Sequence, residues 1–566
     1  MIDLGPVRGP QTPLPDPTGR TSPYPTGTDP RHEVGPVTTD DTAVAPPETG
    51  LRPVDHRAAL DAIEQGWRQI APLQGARLRE AVRSTPEAEW RGRPRILLAL
   101  AASHRAVGSR SHSAALPWFR GVAKAIEADP DLPIDVRAGY HVQLAATLRA
   151  LGNVVVALEH LEVCRTLLET DTRNSVDARI TLSAAFSLQL ALVRIHEGDH
   201  DQALFALGLA QGLAEEHLST ADRVECLGAL AYVHVLTGEF EHADECLTEA
   251  AAVADGSDLL LSSFGALAQV ARLLLELERG AHTGSWEIAL DDVRNATRGC
   301  EWEALGWYAE ALVRFAEGRH VEALDLLGKV ARLVDVFTGT PAVAAEAALL
   351  RAEVMLSLGH ADDARSLAAA VPPTARHTLC PARVVAVAHL DAGEPQGALE
   401  ALSACRALGD LHSERTVAHV HVLTAAALLA LGDEAHSDLE FDRALLRAGL
   451  AQALWPFAVL PDRLREALLE RAVQRPQADA TQAPLDVLLG SVAQAPPQLE
   501  EPLSERELVI VRHLATGQTL GQIGAQLYIS VNTVKSHVRS VYRKLGATSR
   551  REAMVRVRQL GLHDDD

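Results

Sequence analysis

TGEFEHADECL, residues 237–247, joins an apolar run before it to an Ala- and Leu-rich run after it. The same phrase returns as LGNVVVALEHL (151–161), EGDHDQALFAL (197–207), EGRHVEALDLL (317–327), LGHADDARSLA (358–368), AGEPQGALEAL (392–402) and LGDEAHSDLEF (431–441). Its glycines are Gly152, Gly198, Gly238, Gly318, Gly359, Gly393 and Gly432, with a weaker copy at Gly280 and a candidate first copy at Gly108. A glycine in the left-handed conformation ends one helix, and the polar pair behind it starts the next. The Ala four or five residues on lets two helices approach closely. A period near 40 residues is that of stacked helical hairpins, a solenoid in which each repeat buries its apolar face against its neighbours. The concave side of such an array is expected to be the surface left for partners.

Helix follows helix from about residue 55 to about 470, and this region resembles tetratricopeptide-like repeats. The match is to the turn-and-Ala core of that motif, and the period exceeds its usual 34 residues. Composition agrees: aromatics are 4% while Ala and Leu dominate, and both lose little freedom in a helix. Residues 1–50 carry 11 of the 30 prolines and few large apolar side chains, and read as disordered. Residues 472–502, rich in Gln, Ala and Pro, read as a linker, within which Leu485–Val492 can form a helix that docks.

The net charge is −22, but it is uneven. Residues 504–563 hold 10 Lys/Arg against 3 Asp/Glu, a local +7, and the remainder is at −29. A basic module on an acidic body points to nucleic acid at one end only. The six cysteines form no C-x-x-C pair and read as free thiols. No signal peptide and no membrane span is expected, and the chain reads as cytoplasmic.

The basic module contains LSERELVIVRHLATGQTLGQIGAQLYISVNTVKSHVRSVYRKLGATSRREAM, residues 503–554. Ser504 with Glu507 fits a capping box, and Leu508, Val511 and Leu514 then face a core. Gly517 is expected to end this first helix. A second helix buries Leu520, Ile523 and Leu527. Ser530 caps a third, on which Val534, Val538, Val541 and Leu545 form one apolar stripe. The opposite stripe holds Asn532, Lys535, Ser536, Arg539 and Arg543. One buried stripe and one stripe of Lys, Arg, Asn and Ser suit a helix that reads the major groove. Ser549 with Glu552 repeats the capping pattern for a fourth helix.

This stretch resembles the LuxR-type DNA-binding domain, through LSEREL, YIS, TVKSHV, RKLG and SRREA in order. The resemblance implies that Lys535, Ser536 and Arg539 face bases. It implies that Asn532, Thr533, Arg543, Lys544 and the Ser504 cap region lie near phosphates. The fourth helix, 550–560, with Ala553, Met554 and Val557, would pair two domains. Gln522 and Gly524 stand where the family usually has Glu and Ala, and Gly521 adds another glycine that weakens a helix by about 1 kcal/mol against Ala.

The fold class expected is therefore all-α: a tetratricopeptide-like solenoid over 55–470, then a linker, then a four-helix LuxR-type helix-turn-helix domain over 503–563. The whole resembles large ATP-dependent LuxR-type regulators without their ATPase, since no G-x-x-x-x-G-K-[ST] occurs. The function expected is sequence-specific regulation of transcription, with double-stranded DNA, a second copy on DNA and RNA polymerase as partners. The repeats would sense a protein, peptide or small molecule. A protein-interaction scaffold with weak DNA affinity is the alternative. A metal hydrolase rests only on His196-Glu197-Gly198-Asp199-His200, which spells H-E-x-x-H. Gly198 should break that helix, so no zinc is expected there, nor any other metal, cofactor or catalytic residue. Trp302, Trp307, Tyr308 and Phe315, and likewise Trp118-Phe119, read as core before ligand pocket.

Overall fold

A computed structural model describes residues 56–105, 112–171, 176–279, 286–336, 341–374, 377–492 with five positions left out, 503–515, 518–545, and positions 550, 553 and 557. The expectations for residues 1–50, Gly108, Gly280, Gly517, Ser549, Glu552 and Met554 lie outside the described residues. Among the described residues every regular element is a helix.

The glycine phrase marks the turns it was expected to mark. Gly152, Gly198, Gly238, Gly318, Gly359, Gly393 and Gly432 all have φ between 73° and 90°. At each, the residue after the glycine donates back five positions, as Asn153 does to the Leu148 carbonyl at 2.8 Å and Glu239 to that of His234 at 2.8 Å. That bond satisfies a carbonyl the ending helix leaves open. Five residues beyond each glycine stand Ala157, Ala203, Ala243, Ala323, Ala364, Ala398 and Ser437, all fully buried. Ser437 keeps its hydroxyl satisfied on the Ala425 carbonyl at 2.9 Å.

The helices pair as hairpins, among them Ile134–Ala150 with Val154–Thr170, Val176–Glu197 with His200–Gln211, Thr220–Thr237 with Phe240–Ala254, and Glu414–Ala430 with Glu434–Ala451. The first helix of each hairpin packs on the first helix of the next. These inner helices are buried on nearly all sides: in Thr220–Thr237 only the ends and scattered positions reach solvent. Val176–Glu197 is the one described helix long and apolar enough to cross a membrane, and it serves as such an inner helix, with Leu182, Leu188 and Leu192 buried.

The array winds tightly enough to meet itself. The Ser413 hydroxyl donates to the Thr237 carbonyl across 176 residues. Leu454 N–H donates to the Glu278 carbonyl at 2.7 Å, and Arg415 Nε lies 2.6 Å from Glu278 Oε1. Further in, fully buried Arg149 is held by Glu301, by Gln189 at 3.2 Å and by Glu225 at 3.3 Å. Arg105 meets Glu225 at 3.3 Å from the other side. The open concave surface expected from the sequence is therefore filled by side chains of the inner helices. A cavity of about 140 Å³ remains, lined in part by Trp67, Arg68, Arg105 and Phe264. That is below the few hundred Å³ usual for small-molecule sites.

The aromatic residues take the core role. Trp302 and Tyr308 are buried, Trp307 lies under the Lys329 ammonium at 4.1 Å, and Phe315 packs on Trp455. Phe119 is buried and Trp118 packs edge-on to Trp90. Within the expected linker the Leu485–Val492 run forms a docked helix as expected, but the helix starts earlier, at Asp479. Helix Asp462–Val473 ends just inside this segment and helix Asp479–Val492 follows, with Leu485 and Leu488 buried in one cluster with Phe441, Ala448 and Leu469. Helix Asp479–Val492 packs on Glu434–Ala451, so the array takes up this segment as its closing layer.

Candidate nucleic-acid interface

Among the described residues three helices, Glu505–Ala515, Leu520–Gln526 and Val531–Lys544, build the basic module. Their core is Ile510, Leu514, Ile523, Val534 and Val538. Leu503, Leu508, Val511, Val541 and Leu545 form a second layer with Ala553 and Val557, continuous with the core of the array. Arg512 also reaches Asp325 of the array at 3.4 Å. The expected stripe of Val534, Val538, Val541 and Leu545 is buried in full. Ile510 joins the core without having been singled out in the sequence.

Each helix start is fixed by its own side chains. Ser504 N–H donates to Glu507 Oε2 at 2.7 Å, and Glu507 N–H donates to Ser504 Oγ at 3.4 Å. The Leu520–Gln526 helix has a reciprocal box: Thr519 N–H donates to Gln522 Oε1 at 2.8 Å and Gln522 N–H to Thr519 Oγ1 at 3.3 Å. Gln522, a departure from the family's Glu, thus does the same capping work without a charge. Ser530 Oγ accepts from Thr533 N–H at 3.1 Å and starts the third helix. Gly524 is close-packed as well, since a Cβ there would lie 2.9 Å from the Ile529 carbonyl oxygen. Gly521 faces open space.

The outward face of Val531–Lys544 carries exposed Asn532, Thr533, Lys535, Ser536, Arg539 and Arg543. The helix contains no acidic residue. Three fixed positive charges and a helix N-terminus on one face favour an anionic partner, and Arg, Lys, Asn and Ser can all donate to base edges or phosphates. The proposed base readers Lys535, Ser536 and Arg539 therefore share one exposed face with Asn532 and Arg543.

Two groups of expected residues sit elsewhere. Lys544 turns inward: its Nζ lies 2.9 Å from Glu507 Oε2, and its side chain is only 11% exposed. Burial pushes the Glu507 carboxyl up, but hydrogen bonds from Ser540, the Ser504 backbone, Lys544 and the Ser504 hydroxyl outweigh it and hold the pKa at about 2. Lys544 thus ties the third helix to the first instead of facing a phosphate. Ala553 and Val557 are fully buried, so these two side chains face the core and offer no surface to a second copy. Tyr528 was not singled out. It occupies the turn before the third helix with φ 54° and is 96% exposed. A bulky residue at positive φ is uncommon. The only signal in the sequence is its place in the YIS turn.

The H-E-x-x-H string is dispersed. His196 ends one helix and stacks on Trp302 at 4.2 Å, while His200 begins the next and bonds Thr378 at 2.9 Å. Glu197 pairs with Arg194 at 2.7 Å. These side chains do not converge on a common point.

Residues 501–557 match the family described as bacterial regulatory proteins, luxR family. The chain is similar to a probable transcriptional regulatory protein NarL of Mycobacterium tuberculosis, 35% identical over 77 residues, which is 14% of this chain and 36% of that protein. It is similar to a nitrate/nitrite response regulator protein homolog of Haemophilus influenzae, 49% identical over 53 residues, 9% of this chain and 26% of that one. It is also similar to the HTH-type transcriptional regulator MalT of Serratia proteamaculans, 36% identical over 59 residues, 10% of this chain and 6% of that one. The chain spans about a third or less of the length of these curated relatives.

Proposed function

We propose that this chain, with a luxR-family helix-turn-helix domain at residues 501–557, is a sequence-specific DNA-binding regulator of transcription acting in the cytoplasm. The observation that carries this reading is the outward row Asn532, Lys535, Ser536, Arg539 and Arg543. It lies on a helix whose other face is fully buried. Lys535 and Ser536 sit in the half of the helix nearest its N-terminus, which is the part that enters a major groove in this motif, and Arg539 follows one turn after Lys535 on the same exposed face. Arg539 has the planar fork for a guanine edge. The relatives named as transcriptional regulators support the same reading, through the matched segment only.

The helical array is the part that receives the signal, a protein, peptide or small molecule. Because its inner face is filled, the signal acts at its outer surface or by loosening the contacts between inner helices. The Arg512–Asp325 pair and the shared apolar layer offer a direct mechanical link from array to head. A second copy on DNA and RNA polymerase are the further partners of this reading.

Genome-wide mapping of DNA bound by the full chain tests it. Recovery of one recurrent sequence motif, lost in Arg539→Ala, is the expected result. Fragments without a common motif, or an enrichment indifferent to Arg539→Ala, would leave only the scaffold reading.

A further inference from the structure

We propose that His377, Cys380, Cys405 and His412 form a structural zinc site that locks the helical array closed. One ligand atom from each of the four lies within 4.8 Å of every other. Cys380 and Cys405 sulfurs are 3.5 Å apart, and Cys405 Sγ is 3.4 Å from His377 Nδ1. A tetrahedral zinc with Zn–S near 2.3 Å and Zn–N near 2.0–2.1 Å sets ligand–ligand edges of roughly 3.3–3.8 Å. Two observed distances already fall there, and no other needs to close by more than about 1.5 Å.

The surroundings are those of a prepared site. Cys380, Cys405 and His412 are almost fully buried, at 1% exposure each. The His412 Nδ1 lies 2.7 Å from the Thr416 hydroxyl, which leaves Nε2 buried without a hydrogen-bond partner. A metal-binding imidazole is oriented through its other nitrogen in this way. His377 has φ 51°, a conformation that non-glycine residues adopt seldom, and its carbonyl accepts from the same Thr416 hydroxyl at 2.8 Å. The set is two thiols and two imidazoles, a donor combination that selects zinc over magnesium or calcium. On binding, both thiols lose their protons to solvent and the two thiolates cancel the ion's charge. No electron is transferred. With four protein ligands no position is left open, so the site is structural and not hydrolytic.

Its place in the fold says what it would hold. His377 and Cys380 precede helix Pro381–Asp391, while Cys405 lies in helix Ser403–Leu408 and His412 precedes helix Glu414–Ala430. The ion would join two successive hairpins. It would do so where the array meets itself, because Thr378 bonds His200 and Ser413 bonds the Thr237 carbonyl.

The test uses the full chain purified under reducing conditions. Elemental analysis should find stoichiometric zinc. After chelation, cobalt(II) should bind in one equivalent, with the intense visible bands of a tetrahedral ion and a thiolate charge-transfer band. Zinc should be lost in Cys380→Ser and Cys405→Ser and kept in Cys164→Ser, whose thiol is buried elsewhere. The cobalt spectrum of the unaltered chain decides the matter even where a variant fails to fold. Absence of that spectrum overturns the proposal, and so does a zinc content that Cys380→Ser and Cys405→Ser leave unchanged. A Cys380–Cys405 disulfide in the isolated protein, with no cobalt spectrum after reduction, overturns it too and makes the pair a redox element.

Discussion

Lys544 and Arg539 show how far one turn of helix separates a structural role from a recognition role. Both are basic and both lie on Val531–Lys544, but Lys544 is held inside by Glu507 while Arg539 is exposed. Lys544→Ala should destabilise the domain by on the order of 2 kcal/mol, the worth of a hydrogen bond to a charged group. It should leave the salt dependence of DNA binding nearly unchanged, since no phosphate contact is removed. Thermal melting of the full chain, paired with binding at several salt concentrations, separates the two effects. A shallower salt slope without loss of stability would return Lys544 to the DNA face. The two glycines of the bracing helix part in the same manner. Gly521→Ala meets nothing within 4 Å and should gain up to about 1 kcal/mol of helix stability. Gly524→Ala must first move the Ile529 carbonyl, only 2.9 Å from the new methyl, and should gain nothing or lose. Denaturant melts of the two variants check this, and a Gly524→Ala chain stabilised as much as Gly521→Ala would contradict it. In the sequence both glycines looked alike, because what separates them is the approach of a chain segment five residues further on.

At the level of elements the hairpin turns were legible because their signal is local. A glycine, a polar pair and a small residue at fixed offsets specify one backbone conformation and one close helix contact, and every described copy adopts them. What a turn meets across the array was not legible. A Cβ on Gly238 would lie 2.3 Å from Arg415 N, whereas on Gly432 it would meet nothing. Both have positive φ, 90° and 81°. Gly432→Ala should therefore cost about 1–2 kcal/mol of backbone strain, and Gly238→Ala clearly more, because it also forces the two parts of the array asunder. Equal melting shifts for the two would mean that the array does not close in solution. The cluster His377, Cys380, Cys405 and His412 escaped for a related reason. A search for C-x-x-C pairs passes over a His three residues before a Cys and a second Cys–His pair 25 residues on. Which way Ala553 and Val557 face was not readable, because it depends on layers far away in sequence.

For the whole molecule, winding the array shut takes charges and histidines out of water. Burial is the main force that pushes His196 down to about 3, and it lowers His141 and His320 to about 4. An unfolded chain protonates these groups near their ordinary 6.5, and the folded one does not. Their contribution is thus fully present above pH 6.5 and is lost progressively as the pH falls towards 4 and 3, by up to about 1.4 kcal/mol per pH unit for His196. Melting temperature between pH 7 and pH 5 should fall, and His196→Phe, which keeps a ring on Trp302, should flatten that fall. An unchanged slope would show that His196 is open to water. On this acidic, closed body sits a basic head, and the central claim is that the head reads DNA through the outward face of Val531–Lys544. The most direct measurement is a binding titration of the full chain across salt, on its mapped site and on a scrambled duplex, with and without Arg539→Ala. The account predicts a loss of roughly 1–3 kcal/mol on the specific duplex and little change on the scrambled one. Equal losses on both would mean that Arg539 meets phosphate alone, and would contradict it.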